Sequence, residues 1–407
     1  MIRTVSLFFT LIFITMNSVS QVPFPRHLFD TYTTYAVDIT SHRFTNADVM
    51  KRIDAFAASM AGVLSVEEVG RSGEGRPLRL LKLGTGATKV FLWSQMHGDE
   101  PTATMALMDM LSYIRENGQS PEIRRILSET TLLILPMVNP DGAERFQRRT
   151  AHGIDMNRDA ARLQTPEARI LKSVRDRYNP EIGFNLHDQE PRYTVGRTGK
   201  VATIALLAPS FDYAKSDNLV RLRAKKVAAA LIGILTPYID GHISKYDDGY
   251  EPRAFGDNIQ GWGTSTVLIE SGGWKDDPQK MFIRKLNCVA LLALLDEIAA
   301  REYEKADIAV YDALGDNTRN LFDMIVEKVT LRFEKNIAPV TVDLGINMEE
   351  VKKDGAVHTQ ARITDLGDLS TYQCFERINA EGVTLDAAAV RLESIVNLDQ
   401  LRALLLK

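Results

Sequence analysis

Cysteine is scarce in this sequence, and basic residues are not in excess. Two cysteines among 407 residues are too few for a disulfide-rich scaffold. Cys288 lies in a helix-like apolar run and Cys374 in a strand-like run of another region, so we expect two buried free thiols rather than a disulfide. The 49 lysines and arginines are balanced by 53 aspartates and glutamates, which excludes the basic surplus typical of a nucleic-acid-binding protein. Beyond the amino terminus, no run is long and apolar enough for a membrane helix.

The amino terminus has the features of a secretory signal peptide. Arg3 supplies a positive charge, residues 5–16 form a mainly apolar stretch, and Ser18-Val19-Ser20 is a small-x-small cleavage site. The apolar stretch is shorter than the about 20 residues that a membrane-spanning helix needs, so a retained anchor is the weaker alternative. We predict that residues 1–20 are removed and that the protein is secreted or periplasmic.

His97 and Glu100 lie three positions apart between a predicted strand and a predicted helix. The apolar run before them, residues 89–96, has the length and composition of a strand. Pro101 suits the first turn of a helix, which continues towards a stop at Asn117-Gly118. Side chains at such a junction project from the carboxyl end of a sheet, where open α/β proteins usually keep their sites. The pair therefore predicts half of a zinc site.

The His-x-x-acid spacing alone does not select this pair, because it occurs repeatedly in the chain. A catalytic zinc needs about three protein ligands and an open position for water, so a second histidine must come from elsewhere. His187 is the best candidate, because it ends the short apolar run 182–187, which predicts a neighbouring strand. The matches are His27 with Asp30, His97 with Glu100, His152 with Asp155, and His187 with Glu190.

Two further segments carry charged residues at the ends of apolar runs. After the predicted strand 132–135, a Pro-Asp-Gly turn leads to a loop, residues 148–158, that is rich in arginine. The second segment, residues 265–273, is a β-branched run with one carboxylate, Glu270. A glutamate at the exit of a core strand costs free energy unless it has a partner or a chemical role.

At these motifs the chain resembles the zinc carboxypeptidases of the M14 (funnelin) family. The family pattern is H-x-x-E, then N-P-D-G, then R-x(n)-G-x-D-x-N-R, then a lone histidine, and then a glutamate before a glycine-containing turn. The order and spacing agree throughout. The resemblance covers roughly residues 60–300 and begins at residues 69–78, which are similar to the family's first strand entry. It implies an α/β fold in which helices flank a mixed central sheet.

The resemblance also implies the chemistry of the motif residues. His97, Glu100 and His187 would bind one Zn²⁺ ion per chain. Glu270 would act as the general base and acid, which takes a proton from the attacking water and passes it to the leaving amine. Arg149 would polarise the scissile carbonyl and hold the oxyanion that forms there.

Other residues of the same motifs match the family's substrate contacts. Asn157 and Arg158 would grip the terminal carboxylate of the substrate, because a planar guanidinium can bind both oxygens. Asp155 would fix the tautomer of the first zinc histidine. Tyr250 would close over the substrate from a loop.

Two of these assignments have neighbours that could take the role instead. Arg148 or Arg145 could take the oxyanion role instead of Arg149, which is preferred for its register with the residues that follow. Tyr246 precedes Tyr250 in the same loop. Tyr250 fits the family's spacing better, although an ordinary loop tyrosine is nearly as good an interpretation.

Asp99 bears on the substrate. Many family members carry an arginine between the zinc histidine and glutamate, whereas a carboxylate there would repel a peptide carboxylate and favour a cationic or amide group. The sequence His-Gly-Asp-Glu resembles the corresponding motif of bacterial members that cut murein-derived peptides, such as γ-D-glutamyl-diaminopimelate amidases. We therefore predict a secreted metallocarboxypeptidase of bacterial type that hydrolyses the C-terminal amide bond of peptides. A zinc amidase or deacylase acting on muropeptides or acyl-amino acids is the alternative, and a binding module without catalysis is disfavoured because binding alone needs no general base.

The chain is long enough for more than one domain. We predict a catalytic domain over residues 21–303, a linker over residues 304–317, and a small β-rich domain over residues 318–407. The last region alternates apolar and polar residues between Gly/Asp turns, which is typical of strands, and it assembles no catalytic set.

Overall fold

The computed structural model describes residues 22–334, 336–353 and 356–405, so the predicted signal peptide lies outside the described residues. Strands and helices are numbered in chain order. The strands are β1 (Leu64–Arg71), β2 (Pro77–Leu83), β3 (Thr88–Ser94), β4 (Thr130–Leu135), β5 (Ile182–Asp188), β6 (Tyr193–Val195), β7 (Ile204–Leu207), β8 (Ile243–Lys245), β9 (Ser265–Ser271), β10 (Asn317–Arg319), β11 (Leu321–Arg332), β12 (Val340–Lys353), β13 (Ala356–Gly367), β14 (Gln373–Asn379), β15 (Thr384–Asp386) and β16 (Ile395–Val396). The α-helices are α1 (Phe24–Tyr35), α2 (Asn46–Ser59), α3 (Thr102–Glu116), α4 (Pro121–Glu129), α5 (Pro140–Arg145), α6 (Pro166–Tyr178), α7 (Leu219–Ile239), α8 (Phe255–Gly261), α9 (Met281–Ala299), α10 (Ile308–Asp312) and α11 (Leu398–Leu405).

The central sheet has eight strands in the order β1-β2-β4-β3-β5-β9-β7-β8. Its middle strands β4, β3, β5 and β9 are parallel to one another. β1, β2 and β4 pair antiparallel, and β7 runs antiparallel to β9. The predicted mixed sheet is therefore confirmed, and the carboxyl ends of β3, β5 and β9 meet at one edge.

The pleat of β3 explains why helices cover both faces of this sheet. Val90 and Leu92 belong to the core cluster that includes α3 and α9, whereas Phe91 and Trp93 belong to the cluster that includes α6 and α8. All four side chains are buried, because successive side chains of a strand point to opposite faces. Such a strand reads as a continuous apolar run, as the sequence does at this point.

The helix predicted after His97 and Glu100 is present. α3 begins at Thr102, with Pro101 as its first flanking residue, and ends before Asn117, whose backbone N–H donates to the carbonyl of Tyr113. Earlier in the chain, Thr45 caps α2 through a capping box with Asp48.

A buried ion pair holds the amino-terminal segment against helices α3 and α9. Arg284 on α9 donates to both carboxylate oxygens of Asp109 on α3, each at 2.7 Å. The same guanidinium donates to the carbonyls of Val37 and Ile39, and Tyr32 on α1 donates to Asp109. The amino-terminal segment that carries α1 is thus held through charged hydrogen bonds.

The predicted β-rich region contains a six-stranded sheet in the order β14-β11-β12-β13-β16, with β15 beside β11. Residues 304–317, predicted as a linker, include α10, and the buried Tyr311 accepts a hydrogen bond from the backbone N–H of Ala208 at 2.9 Å. Both cysteines are free, as expected, although Cys374 is only half-buried. Among the described residues, no helix is both long and apolar enough to cross a membrane.

The second sheet contacts the segment that follows His187. β6, which follows this segment, pairs antiparallel with β10 in a separate two-stranded sheet, and β10 leads into β11 of the second sheet. The buried Arg192 donates to Asp323 at 3.0 Å and to Glu190 at 2.5 Å, and it also donates to the carbonyl of Met348. The residues around Glu190 are therefore fixed from the second sheet.

Candidate metal centre and cleft

Three predicted ligands meet at the carboxyl edge of the central sheet. Nδ1 of His97 lies 2.7 Å from Oε1 of Glu100, and Nδ1 of His187 lies 2.6 Å from Oε2 of the same carboxylate. Their donor atoms all lie within 4.8 Å of one another, and the three side chains are buried. His97 follows β3 and His187 lies near the end of β5, and these strands are direct neighbours. The adjacency explains how residues far apart in the sequence converge.

A hydrogen bond to Asp155 determines how His97 presents its ring. Nε2 of His97 donates to Oδ1 of Asp155 at 3.1 Å, which leaves Nδ1 facing the Glu100 carboxylate. Two acceptors at contact distance need a cation between them, either a proton or a metal ion. Two imidazoles and one carboxylate are the ligand set that Zn²⁺ takes in catalytic sites, with a position left open. The donor set therefore fits one Zn²⁺ ion.

The carboxylates around His97 also act on its protonation. Burial lowers the pKa of His97, but Glu100 and Asp155 outweigh this effect and raise the pKa to about 9. Burial similarly raises the pKa of Glu100, yet the two histidines outweigh it and hold that pKa well below its ordinary value. A metal ion that binds here at neutral pH displaces a proton from the ligands.

Glu270 lies directly beside His187. The two residues are register partners in the parallel pair β5–β9. Glu270 is buried, and its Oε2 has no hydrogen-bond partner among the described residues. Burial and, second, the negative charge of Glu100 raise the pKa of Glu270 well above its ordinary value. A carboxylate of this kind is suited to accept and return a proton.

Arg148, rather than Arg149, faces the metal ligands. Nη1 of Arg148 lies 3.1 Å from Nδ1 of His97, and its Nη2 lies 2.9 Å from Oδ2 of Asp155. Arg149 is exposed and donates to the carbonyl of Gly153 at 3.0 Å, away from the cleft. Arg148 and Arg149 lie in a bend of the loop and have different hydrogen-bond partners, so an assignment that is one residue off selects the arginine outside the cleft. The geometry therefore places the alternative, Arg148, where Arg149 was expected.

The Asn-Pro-Asp-Gly turn supports the site instead of lining it. Asp141 is fully buried and accepts hydrogen bonds from Ser72 Oγ at 2.7 Å, Arg76 Nη1 at 2.7 Å and the backbone N–H of Glu74 at 2.9 Å. Arg145 pairs with Glu74 and so is not available at the metal ligands. Residues 72–76, which belong to the segment that resembles the family's first strand entry, are thereby joined to the turn.

Asn157 and Arg158 lie in the cleft with the metal ligands. The amide oxygen of Asn157 accepts from the backbone N–H of Phe255 at 2.8 Å, so its amide nitrogen is the part that can donate to a substrate. Arg158 is partly exposed, and its Nε lies 3.4 Å from Glu251. An exposed guanidinium with one loose carboxylate partner can exchange that partner for a substrate carboxylate.

Tyr250 lies outside the residues that line the cleft, and Tyr246 lies within them. Tyr250 packs edge-on against Tyr213 with ring centroids 5.0 Å apart, and Tyr213 is 79% exposed. Burial and, second, the nearby Glu270 raise the pKa of Tyr246. The structure therefore brings the weaker tyrosine candidate to the site, while Gly249 and Glu251 on either side of Tyr250 do line it.

Asp99 is partly buried but does not line the cleft. The structure therefore gives no support to the sequence argument for murein peptides, which needs Asp99 at the substrate. The cleft, with a cavity volume of about 420 Å³, instead contains carboxylates that the motifs did not indicate. They are Glu190, Asp247, Glu251 and Asp257, in addition to Asp188 beside the zinc ligands.

Asp257 is the most enclosed of these added carboxylates outside the ligand segment. It lies on α8, is 8% exposed, and accepts a hydrogen bond from the backbone N–H of Glu251 at 3.0 Å. Burial raises its pKa to about 6, and the negative charge of Glu251 adds to the effect. Only the fold reveals it, because nothing in its local sequence distinguishes it from an ordinary helix aspartate.

Known proteins match the part of the chain that carries the first ligands. The family model of the M14 peptidases, described as zinc carboxypeptidase, matches residues 49–195. "Probable carboxypeptidase 2" of Arthroderma benhamiae is 31% identical over 150 residues, which are 36% of this chain and 27% of that protein. Carboxypeptidase SOL1 of Arabidopsis thaliana is 29% identical over 142 residues, 33% of this chain and 29% of that protein. The chain thus matches between about a quarter and a third of the length of these curated relatives.

Solved structures agree in fold. A metallo-carboxypeptidase from Burkholderia cenocepacia has a TM-score of 0.50 at 19% identity, covering 62% of this chain and 69% of that one. Bovine thrombin-activatable fibrinolysis inhibitor also has a TM-score of 0.50, at 15% identity, covering 65% of this chain and 98% of that one. The ligand triad, the parallel register of β5 and β9 and these likenesses agree with one another. The chain is therefore similar to the zinc carboxypeptidases of the M14 family in the sequence of residues 49–195, and it shares their mixed α/β fold.

Proposed function

We propose that the chain is a zinc-dependent metallocarboxypeptidase that hydrolyses the C-terminal amide bond of peptides. One observation carries the proposal. The ligands His97, Glu100 and His187 line the same cavity as Glu270 and as Arg158, a cation able to bind a free carboxylate. Binding alone would need neither a buried carboxylate with a free oxygen nor a guanidinium in the same cleft.

The residues of the chain divide the work of hydrolysis. Arg158 and the amide nitrogen of Asn157 hold the terminal carboxylate of the peptide, which places the last amide bond near Glu270. Arg148 donates to the carbonyl oxygen as negative charge develops there. Glu270 takes the proton of the attacking water and returns it to the amine that leaves. A bound Zn²⁺ ion supplies Lewis acidity at this position and lowers the pKa of water.

The charge of the cleft favours a basic residue at the end of the substrate. Glu190, Asp247, Glu251 and Asp257 contribute negative charge, against the cations Arg148 and Arg158, which are used for the carbonyl and the carboxylate. A lysine or arginine side chain would find an opposite charge at Asp257. We therefore propose peptides with a C-terminal basic residue as the preferred substrates.

The position of Asp99 removes the observation that favoured murein peptides, so that alternative is not retained. Residues 1–20 still support secretion, and we propose that the protein acts outside the cytoplasm.

The experiment compares peptides that differ only at the carboxyl terminus. Purified protein is incubated with one peptide as the free acid and as the amide, each ending in arginine, leucine or glutamate, and the products are identified by mass. We expect release of a single C-terminal residue from the free acids, fastest for arginine. Cleavage of the amides at the same rate, or cleavage at internal bonds, would reject the proposal.

The matched variant is Glu270→Gln, which keeps the size of the side chain but not its ability to take a proton. It should retain one zinc per chain and lower kcat by about 10²- to 10⁴-fold. Unchanged kcat in this variant would show that another group is the base.

A further inference from the structure

Lys280 joins the ends of the two strands that carry the chemistry. Its ammonium group donates to the carbonyl of Gln189 at 3.0 Å and to the carbonyl of Ser271 at 2.8 Å. Gln189 follows His187 by two residues, and Ser271 directly follows Glu270. The backbone N–H of Gln189 also donates to the carbonyl of Ser271 at 3.0 Å. One ammonium group therefore holds the last residue of β9 and the residue that follows β5.

The same ammonium compensates a buried negative charge. Nζ of Lys280 lies 3.6 Å from Oδ2 of Asp188, whose side chain is only 6% exposed. Oδ2 of Asp188 accepts from Oγ1 of Thr102 at 2.6 Å, whereas its Oδ1 has no hydrogen-bond partner among the described residues. Asp188 lines the cleft together with Glu100 and Glu270. So many buried carboxylates cost free energy unless a cation is close by.

The backbone of Lys280 shows that the side chain is not there to start a helix. Its φ is 55°, in the left-handed region that favours glycine or asparagine. The first N–H groups of α9 are capped by the carboxylate of Asp277, which accepts from Met281 at 2.7 Å and from Phe282 at 2.9 Å. Capping therefore does not account for a lysine at this position. The contacts of the ammonium group with Gln189 and Ser271 account for a lysine in this backbone conformation.

We propose that Lys280 is a positioning residue for hydrolysis, which fixes Glu270 relative to His187 by holding the carbonyls of Ser271 and Gln189. Lys280 does not line the cleft, so it acts through the two strand ends and not on the substrate. Only the kinetic part of the inference rests on the proposed function, because the rigidity of the backbone at the ends of β5 and β9 can be measured without turnover.

The test is Lys280→Met, which keeps the aliphatic stem and removes the charge and the donors. Two charge-assisted hydrogen bonds to backbone carbonyls are lost, so we expect kcat on a free-acid peptide to fall about 10- to 100-fold. KM should stay within about 2-fold, because the carboxylate contacts at Arg158 are untouched, and zinc should stay at one per chain. Lys285→Met on the same helix is the matched control, since its ammonium stacks 3.5 Å from the ring of Phe29, away from the cleft. It should leave kcat unchanged.

Hydrogen exchange supplies a readout that does not depend on activity. In Lys280→Met, backbone amides in residues 186–190 and 268–272 should exchange about ten-fold faster, whereas those of residues 90–94 should not change. Lys280→Gln keeps a neutral donor on a shorter chain, so intermediate kcat and exchange are expected, and it replaces the methionine variant if that one does not fold.

The outcomes separate the two proposals. Wild-type kcat and unchanged exchange in the Lys280 variants would overturn the positioning role and leave the proposed function intact. A uniform rise of exchange over all three segments would also overturn it, because it would show a general loss of stability. No turnover of any peptide by the wild-type protein would reject the proposed function, while local exchange at the strand ends would still test what Lys280 holds.

Discussion

His187 and Glu270 are direct register partners on the adjacent parallel strands β5 and β9. The sheet thereby sets the distance between the predicted metal ligand His187 and the proposed general base Glu270 through backbone hydrogen bonds, which do not depend on loop conformation. Side chains held on strands are placed more precisely than side chains on loops. Arg148, Arg158 and Tyr250, in contrast, all lie on connecting segments.

Metal binding should depend on His187 and not on His152. His187→Ala removes one of three ligands, so zinc content should fall from about one per chain to well below half of that. His152→Ala is the matched control, because His152 is exposed and lies outside the ligand group. Atomic absorption on protein dialysed against a weak chelator measures both. A zinc-depleted His152→Ala protein would refute the ligand assignment.

Arg148→Ala and Arg149→Ala separate the two arginines of the loop. Arg148→Ala should lower kcat/KM by about 10²- to 10³-fold, the usual effect of removing a donor to a developing oxyanion. Arg149→Ala should remain close to wild type, because its guanidinium serves the carbonyl of Gly153. Steady-state kinetics on one free-acid peptide decides the question. The reverse order of effects would restore the assignment made from the sequence.

Arg158→Ala tests recognition of the free carboxylate. A charge-assisted pair of this kind contributes roughly 1.5–3 kcal/mol, so kcat/KM for free-acid peptides should fall about 10- to 150-fold. Slow background cleavage of amidated peptides should be almost unaffected. Equal losses on both substrates would mean that Arg158 is structural.

The unfolding free energy should depend on pH through Asp257. The folded protein holds the pKa of Asp257 at about 6, above the ordinary value of 3.8, so between these values the folded state binds more protons than the unfolded state. The contribution of Asp257 to the free energy of unfolding therefore falls by about 3 kcal/mol as pH rises from about 4 to about 6, and is constant outside that window. The charges of Glu251 and Arg158 act on the same carboxyl group and change the size of this contribution.

Urea unfolding of the wild type and of Asp257→Asn at pH 4 and pH 7 measures this contribution. The asparagine keeps an acceptor for the N–H of Glu251 but cannot ionise. The variant should gain stability relative to wild type at pH 7 and not at pH 4. An equal difference at both pH values would show that Asp257 does not titrate in this range.

Arg284→Met should destabilise the protein strongly. It leaves the buried carboxylate of Asp109 without its cation and removes donors to Val37 and Ile39, and loss of one partner of a buried pair costs about 3–5 kcal/mol. The double variant Arg284→Met/Asp109→Leu should recover part of that loss, because no buried charge is left. Urea unfolding measures both, and a single variant as stable as wild type would contradict the role given to this pair.

The sequence predicts best where local pattern and chemistry coincide. His97, Glu100, His187 and Glu270 stand at the ends of apolar runs, so strand prediction and ligand prediction support each other. The arginine loop lacks such a pattern, because nothing local says which of Arg148 and Arg149 turns inward. The structure turns Arg148 towards the metal-ligand group, whereas the sequence favoured Arg149.

Other features depend on contacts between distant segments. The sequence does not predict α1, because the prolines of Val22-Pro23-Phe24-Pro25 favour an extended segment. Asp257 and Lys280 are an aspartate and a lysine with no distinctive neighbours, and their places follow only when β5, β9 and α8 are assembled. Long-range packing, which local propensity does not encode, decides such positions.

Arg192 has a consequence for the cooperativity of unfolding. Because this buried guanidinium is shared by Glu190 at the cleft and by Asp323 in the second sheet, either partner would lose a charged hydrogen bond if the other part of the chain melted first. Calorimetry should accordingly show one heat-absorption peak instead of two, and a protease cut between β9 and β11 should release neither half as an independently folded fragment.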